Sequence, residues 1–181
     1  AARHRSSGIP VREALQQLQG EGIVIFTPNR GARVRQIDEA FLRNIHEVRA
    51  LIEPFLARWF ARHRSDEQLA MLEAVQRDYD HAAEQNLTFD CMAINKRFHD
   101  LCYGSHYNDE ALALASRHND LIRALAFRFP PGRFRNQQAG REHWEIIGKS
   151  RLHDEDGVAA VVAAHVRNAG QDLAERMLAS G

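Results

Sequence analysis

Apolar residues recur along most of this chain at the three- and four-residue steps of an α-helix, and strand-like runs occur only near its start. Val11, Ala14, Leu15 and Leu18 predict the buried stripe of a short helix. Ser7 is placed to cap it, Pro10 falls in its first turn, and Gly20 and Gly22 end it. Ile23-Val-Ile-Phe26 reads as a short apolar strand, Pro28-Asn-Arg-Gly31 as a turn, and Ala32-Arg-Val-Arg35 as a half-exposed return strand. Asp38 then opens a long helix whose seam is predicted along Phe41, Ile45, Val48, Ile52, Phe55 and Trp59, with a kink at Pro54. Helices are expected at about Ser65–Gln85, Leu87–Tyr103 and Asn108–Phe129. A loop is expected at Pro130–Asn136, then a fifth bundle helix holding His143 and a sixth at about Glu155–Ala179.

The expected fold is therefore mostly α, in two parts. Residues 1–36 form a truncated winged helix-turn-helix, and residues 37–181 an all-α six-helix bundle. A winged helix normally has two helices before its recognition helix, and Ala1–Arg5 leave no room for them, so the chain is expected to begin inside that domain.

The 181 residues are 44% hydrophobic and 27% charged, as in an ordinary globular protein, and the formal net charge is zero. The zero hides a split. Residues 1–36 carry six arginines (Arg3, Arg5, Arg12, Arg30, Arg33, Arg35) against Glu13 and Glu21, a surplus of four that the remainder cancels. A basic segment on a neutral chain marks a nucleic-acid surface better than the total does. Cys91 and Cys102 are about 16 Å apart along one predicted helix and cannot bridge each other. No apolar run approaches the ~20 residues of a membrane span and no secretory signal opens the chain, so a cytoplasmic location without a membrane partner is expected.

A recognition helix presents its N-terminal residues to base edges while its neighbours hold phosphates. The candidates are Ser7, Gly8, Ile9 and Arg12, with Gln16 further along. Arg12 suits two-donor reading of a guanine or a phosphate clamp. Arg30 at the wing tip can reach the backbone or minor groove, with Asn29 and Gly31 shaping the turn. An isolated arginine is usually just a solvated side chain; the helix, the hairpin and the clustered charge together argue for operator DNA.

In the bundle, His99, His143 and His165 all fall on apolar, inward faces of different helices, and Asn95 shares the face of His99. One inward histidine is more often a hydrogen-bonded core residue than a ligand. Three on separate helices form the pattern from which bundles build sites for zinc, nickel, manganese and similar ions. His4, His63, His81 and His153 look exposed, and His46, His106 and His118 are candidates to line a cavity. Arg49 adjoins the seam of the long helix. It can pair with Glu53 one turn on, or turn a guanidinium inward to grip a carboxylate. Arg123 is a second candidate for such an effector.

Ser7-Gly-Ile-Pro-Val-Arg-Glu-Ala-Leu15, Glu21-Gly22 and Pro28-Asn-Arg-Gly-Ala-Arg-Val34 resemble the DNA-binding domain of GntR-family transcriptional regulators. Glu47-Val-Arg49 with Glu53-Pro54 resembles the first effector-domain helix of the FadR-type subfamily, the FCD domain. The family usually has arginine after the serine, where this chain has Gly8, and often threonine in place of Ile9. The resemblance implies a divalent metal, zinc, nickel or manganese, held by an Asp-x-x-x-His pair, a Glu-His histidine and a last-helix histidine. Those positions match Asn95-Lys-Arg-Phe-His99, Glu142-His143 and His165, with an amide replacing the aspartate. It also implies small organic acids as effectors, which the metal helps to hold. The expected function is a ligand-responsive homodimeric DNA-binding regulator, acting as a repressor and sensing a small carboxylate. The alternative is a metal-dependent helical-bundle enzyme acting on a small organic acid. It would leave the basic module unexplained, and the matched motifs offer it no obvious general base.

Overall fold

The computed structural model describes residues 8–20 and 22–180, Gly8 by its backbone alone. Ser7, at the predicted cap, and His4 lie outside the described residues. The chain divides into two compact units, the first reaching Phe41 and the second beginning at Leu42.

In the first unit, α1 (Gly8–Gly20) is followed by an antiparallel hairpin of β1 (Val24–Thr27) and β2 (Gly31–Val34), paired from Val24 with Val34 to Thr27 with Gly31. The turn closes through the Arg30 amide donating to the Thr27 carbonyl at 3.0 Å. Asn29 and Gly31 take φ of 60° and 75°, a conformation that asparagine and glycine tolerate best. Val24 is the buried residue of the hairpin, and Arg35 ties its base by donating from Nε to the Gly22 carbonyl at 2.7 Å. The predicted stripe of α1 is shallower than its spacing implies. Leu15 and Leu18 are half-buried while Val11 and Ala14 are exposed, because β1 is the described element that packs on the helix.

The second unit is built from six helices: α2 (Glu39–His63), α3 (Asp66–Glu84), α4 (Thr88–Tyr103), α5 (Asp109–Arg128), α6 (Arg133–Arg151) and α7 (Glu155–Leu178). Their starts follow local chemistry. The Asp38 carboxylate accepts the Phe41 amide at 2.8 Å, Ser65 and Gln68 form a reciprocal capping box, and Asn108 and Asp154 cap α5 and α7. The predicted loop stops sooner than expected. Pro130, Pro131 and Gly132 break the chain, but Arg133–Asn136 are already helical, and Arg135 and Asn136 are buried. Their polarity suggested a loop; Arg135 pairs with Glu142 further along the same helix and donates to the His165 carbonyl of α7, and Asn136 meets Tyr79 of α3 and Thr88 of α4.

The core gathers Leu56, Phe60, Leu72, Phe98, Ile146, Ile147, Val162 and Val166. Its α2 members correct the predicted seam. The buried face of α2 runs through Leu42, Ile45, Arg49, Glu53, Leu56 and Phe60, about one position away from the expected line. Val48, Leu51 and Phe55 are 37%, 77% and 38% exposed. Both faces of α2 carry apolar residues, so periodicity alone selects the wrong one: the true inner face is interrupted by His46, Arg49 and Glu53, which look like surface residues in sequence. The helix continues through Pro54, which is itself buried. Leu56→Ala is expected to cost about 2–5 kcal/mol in urea unfolding, and Met71→Ala, on the exposed side of α3, under about 0.5 kcal/mol; equal losses would contradict this burial.

Candidate metal centre

Inward positions on three helices bring His99 of α4, His143 of α6 and His165 of α7 together, each offering a nitrogen within 4.8 Å of the others. All three are buried, and the His143 ring stacks on Phe98 at a centroid distance of 4.1 Å.

The partners of the outer nitrogens decide what the inner ones can do. His143 Nδ1 lies 2.8 Å from Gln76 Oε1, and the same amide donates from Nε2 to Asp80 at 2.7 Å, which fixes its orientation. Gln76 therefore accepts, and His143 Nδ1 carries the proton. His165 Nδ1 donates to the Glu142 carboxylate at 2.7 Å. His99 Nδ1 is 3.1 Å from the Tyr103 hydroxyl, which spends its own proton on Glu53 Oε2 at 3.0 Å; His99 Nδ1 is again the donor. A neutral imidazole protonated at Nδ1 has a bare lone pair at Nε2. Three such lone pairs converge here.

Burial keeps the rings neutral. It is the largest influence pushing His99 down to about 4, against the opposing pull of Glu53, and His143 and His165 well below the ordinary value; Arg135 acts in the same direction on all three, and neighbouring histidines on His143 and His165. His99 Nε2 and His165 Nε2 are 3.2 Å apart with no proton to share, and His143 Nε2 is buried with no partner. Facing lone pairs repel unless a cation lies between them. A cation about 2.1 Å from two imidazole nitrogens places them roughly 3.0–3.4 Å apart at octahedral or tetrahedral angles, so the spacing suits a divalent ion.

Two buried ion pairs flank the triad. Arg49 donates to Glu53 at 2.6 Å, and Arg135 to Glu142 at 2.9 Å. Burial alone would raise the Glu53 carboxyl, but Arg49, with His99 and the Tyr103 hydroxyl, outweighs it and holds it below its ordinary value. Asn168 donates to the other oxygen of Glu142 at 2.6 Å. Gln76, Tyr103, Arg135 and Asn168 were not singled out in the sequence. A polar residue inside an apolar stripe, as Gln76 is between Leu72 and Tyr79, is the signal that could have found one of them.

A cavity of about 450 Å³ opens beside the triad, lined among others by Arg49, Asn95, His99, Tyr103, Arg135 and His165. Arg49 pairs through Nε with Glu53, the first of its two sequence readings, and its Nη1 is buried without a partner. Asn95, half-buried one turn before His99, lines the same space. Arg123 also lines it, but its side chain is 43% exposed and bound to Asp120 at 3.0 Å. His46, His106 and His118 do not line this cavity. His46 packs against Gly170 and binds the Leu42 carbonyl, and His106 sits among Phe55, Trp59 and Tyr107. His63, His81 and His153 are exposed. In the first unit, Ile9, Arg12 and Gln16 are exposed on α1, and Asn29, Arg30 and Gly31 at the hairpin turn; the side chain of Gly8's neighbour Ser7 is outside the described residues.

The family model of the FCD domain matches residues 44–168, most of the chain. This protein belongs to the FCD-domain family. The Nta operon transcriptional regulator of Aminobacter aminovorans is 27% identical over 92% of this chain and 78% of its own length. The HTH-type transcriptional repressor RspR of Escherichia coli is 27% identical over 96% of this chain and 76% of its own. Among solved structures, E. coli McbR/YncC superposes with a TM-score of 0.74 over 100% of this chain and 85% of that one, at 16% identity. The metal-free FCD domain of TM0439 superposes at 0.62 over 80% and 99%, at 20% identity. The fold is that of the FCD regulators.

The buried imidazoles of this FCD domain are expected to make the metal-free protein acid-labile. A histidine whose folded pKa is depressed binds its proton in the unfolded state first, so its destabilising effect begins below about 6.5 and grows as pH falls toward the folded value. His46 and His99 both stand at about 4, burial being the main cause. The urea midpoint of metal-free protein is expected to fall steadily between pH 6.5 and 4.5, with a slope of up to about 1.4 kcal/mol per pH unit for each such ring; a flat profile would contradict the neutral, buried assignment.

Proposed function

We propose that this chain is the effector-sensing part, with part of the DNA-binding module, of a ligand-responsive transcriptional repressor, and that it binds a divalent metal and a small carboxylate in the bundle. The observation that carries this reading is the convergence of three proton-free Nε2 atoms beside an arginine with an unpartnered N–H. The triad supplies a cation with three neutral donors, and Asn95 offers a weaker amide oxygen on the same side; zinc, nickel and manganese all accept such sets. When bound, the cation supplies a positive charge and open coordination positions for an anion. Arg49 orients that anion through its free edge, and Arg123 meets it from the more exposed side. Gln76, Glu142 and Tyr103 hold the three rings in their donating tautomer.

Binding fits this arrangement better than catalysis. The nearest carboxylates, Glu53 and Glu142, are each engaged by an arginine and a second hydrogen-bond donor, which ill suits a general base. The named relatives are transcriptional regulators. In the same reading, Ser7, Gly8, Ile9, Arg12 and Gln16 meet the major groove of operator DNA, and Asn29, Arg30 and Gly31 form the wing contact. The protein acts as a homodimer in the cytoplasm, because a two-fold operator needs two recognition helices about one DNA turn apart. The exposed apolar strip of Val48, Leu51 and Phe55 offers a surface for a second copy. The effector acts by its different affinity for two conformations. No described helix is long and apolar enough to cross a membrane.

Elemental analysis tests the metal. His143→Ala and His165→Ala are each expected to abolish bound metal, and Gln76→Leu to weaken its affinity about 10- to 100-fold; unchanged content in the histidine variants places the site elsewhere. Gel retardation on DNA upstream of the protein's own gene tests the output. Sequence-specific retardation is expected from the full-length protein, with Arg30→Ala lowering the salt slope by about one unit. Absence of specific retardation sinks the regulator reading.

A further inference from the structure

The three imidazoles are held by acceptors of different kinds. Glu142 is a carboxylate, which only accepts, and Tyr103 has spent its one proton on Glu53, so His165 and His99 each meet a group that leaves no choice of tautomer. His143 meets Gln76, and an amide accepts on one edge and donates on the other. Turned over, Gln76 would present an N–H to Nδ1, and the ring proton would have to sit on Nε2, where a metal needs the lone pair. His143 is wholly buried and Phe98 stacks on its ring, so Gln76 is the group that decides its tautomer.

The orientation of Gln76 is decided further out. Its Nε2 is 2.7 Å from Asp80 Oδ1, one turn on along α3, and the second oxygen of Asp80 accepts the Trp144 indole N–H of α6 at 2.7 Å. Asp80 is half-buried and Trp144 is 37% exposed, so the hydrogen bonds joining His143, Gln76, Asp80 and Trp144 run from the buried ring to the surface. The Gly140 carbonyl, 3.4 Å from Gln76 Nε2, supports the same orientation more weakly. Gly140 also makes room for the arrangement: a methyl group built there would stand 3.0 Å from Asp80 Oδ1 and 3.5 Å from Gln76 Nε2. A chain with an acceptor-only group in its middle has one direction. Two donors point into Asp80, and the Gln76 oxygen is left for His143.

We infer that Asp80, braced by Trp144, is a positioning residue for the metal centre: it selects the His143 tautomer whose Nε2 is bare. This rests on the metal reading above and adds two residues, neither of them lining the cavity, that set the readiness of one ligand. Asp80→Asn is nearly isosteric but has one accepting edge instead of two. The Trp144 N–H can only donate and claims the new amide's oxygen. The amide's N–H then faces Gln76 and turns it over. Trp144→Phe removes the competing donor and frees that oxygen for Gln76, so the second substitution undoes the first.

Nitrogen NMR of the imidazole rings in the metal-free full-length protein, and zinc competition against a chromophoric chelator, read the two consequences. In the native protein His143 is expected to carry its proton on Nδ1. In Asp80→Asn it moves to Nε2, and zinc affinity falls at least about tenfold. In Asp80→Asn/Trp144→Phe the proton returns to Nδ1 and the affinity recovers. Trp144→Phe alone is expected to leave both readouts as in the native protein. A merely structural role for Asp80 predicts a double variant weaker than either single one. That result, or an Asp80→Asn variant with the native tautomer, overturns the inference. Native protein that binds no zinc while the tautomers shift as stated removes the metal reading and leaves the positioning of His143 intact.

Discussion

A neutral imidazole has one donor and one acceptor, and in the interior of this bundle the donor side of three imidazoles is already committed. Gln76, Glu142 and Tyr103 each take the Nδ1 proton of one ring, and this single constraint orders much of what surrounds it. Glu142 must be a carboxylate acceptor, so Arg135 and Asn168 gather on it. Tyr103 must have an acceptor for its own proton, so Glu53 is drawn into the interior, and Glu53 in turn brings Arg49. Five helices, α2, α3, α4, α6 and α7, contribute polar side chains to three such sets, which meet at the three facing Nε2 atoms. Removing a member exposes others to the cost of an unpaired buried group, about 1–3 kcal/mol each.

That network explains why some of the protein is readable along the chain and some is not. The six bundle helices and their caps are local matters: Ser65 with Gln68, Asn108 and Asp154 act within a turn, and periodicity finds the rest. The three histidines are readable because each interrupts an apolar stripe. The inner face of α2 is not, because Arg49 and Glu53 acquire their interior character from Tyr103 and His99, about fifty residues away. Arg133–Asn136 read as loop for a related reason: Arg135 donates to the His165 carbonyl of α7 at 3.4 Å as well as to Glu142, and the Asn136 carbonyl accepts from Tyr79 at 3.2 Å. Polar residues that are buried by distant partners imitate surface in a sequence, and they are concentrated at the site.

The hairpin is legible for the opposite reason. Its turn depends on Asn29 and Gly31 adopting positive φ and on one backbone hydrogen bond, none of which needs the rest of the fold. The stripe on α1 is the weaker inference, because amphipathic spacing states which face wants burial but not what will cover it.

Gly170 has no part in the polar network and does not line the cavity, yet a methyl group built on it would stand 2.6 Å from the His46 ring. His46 is one turn before Arg49 on α2, and Gly170 is a little over one turn beyond His165 on α7. The bare backbone at this spot works as a fixed spacer between the helix that carries the guanidinium and the helix that carries the imidazole. A side chain here would act as a wedge, prising the two apart from outside the pocket and detuning recognition without touching a single recognising atom.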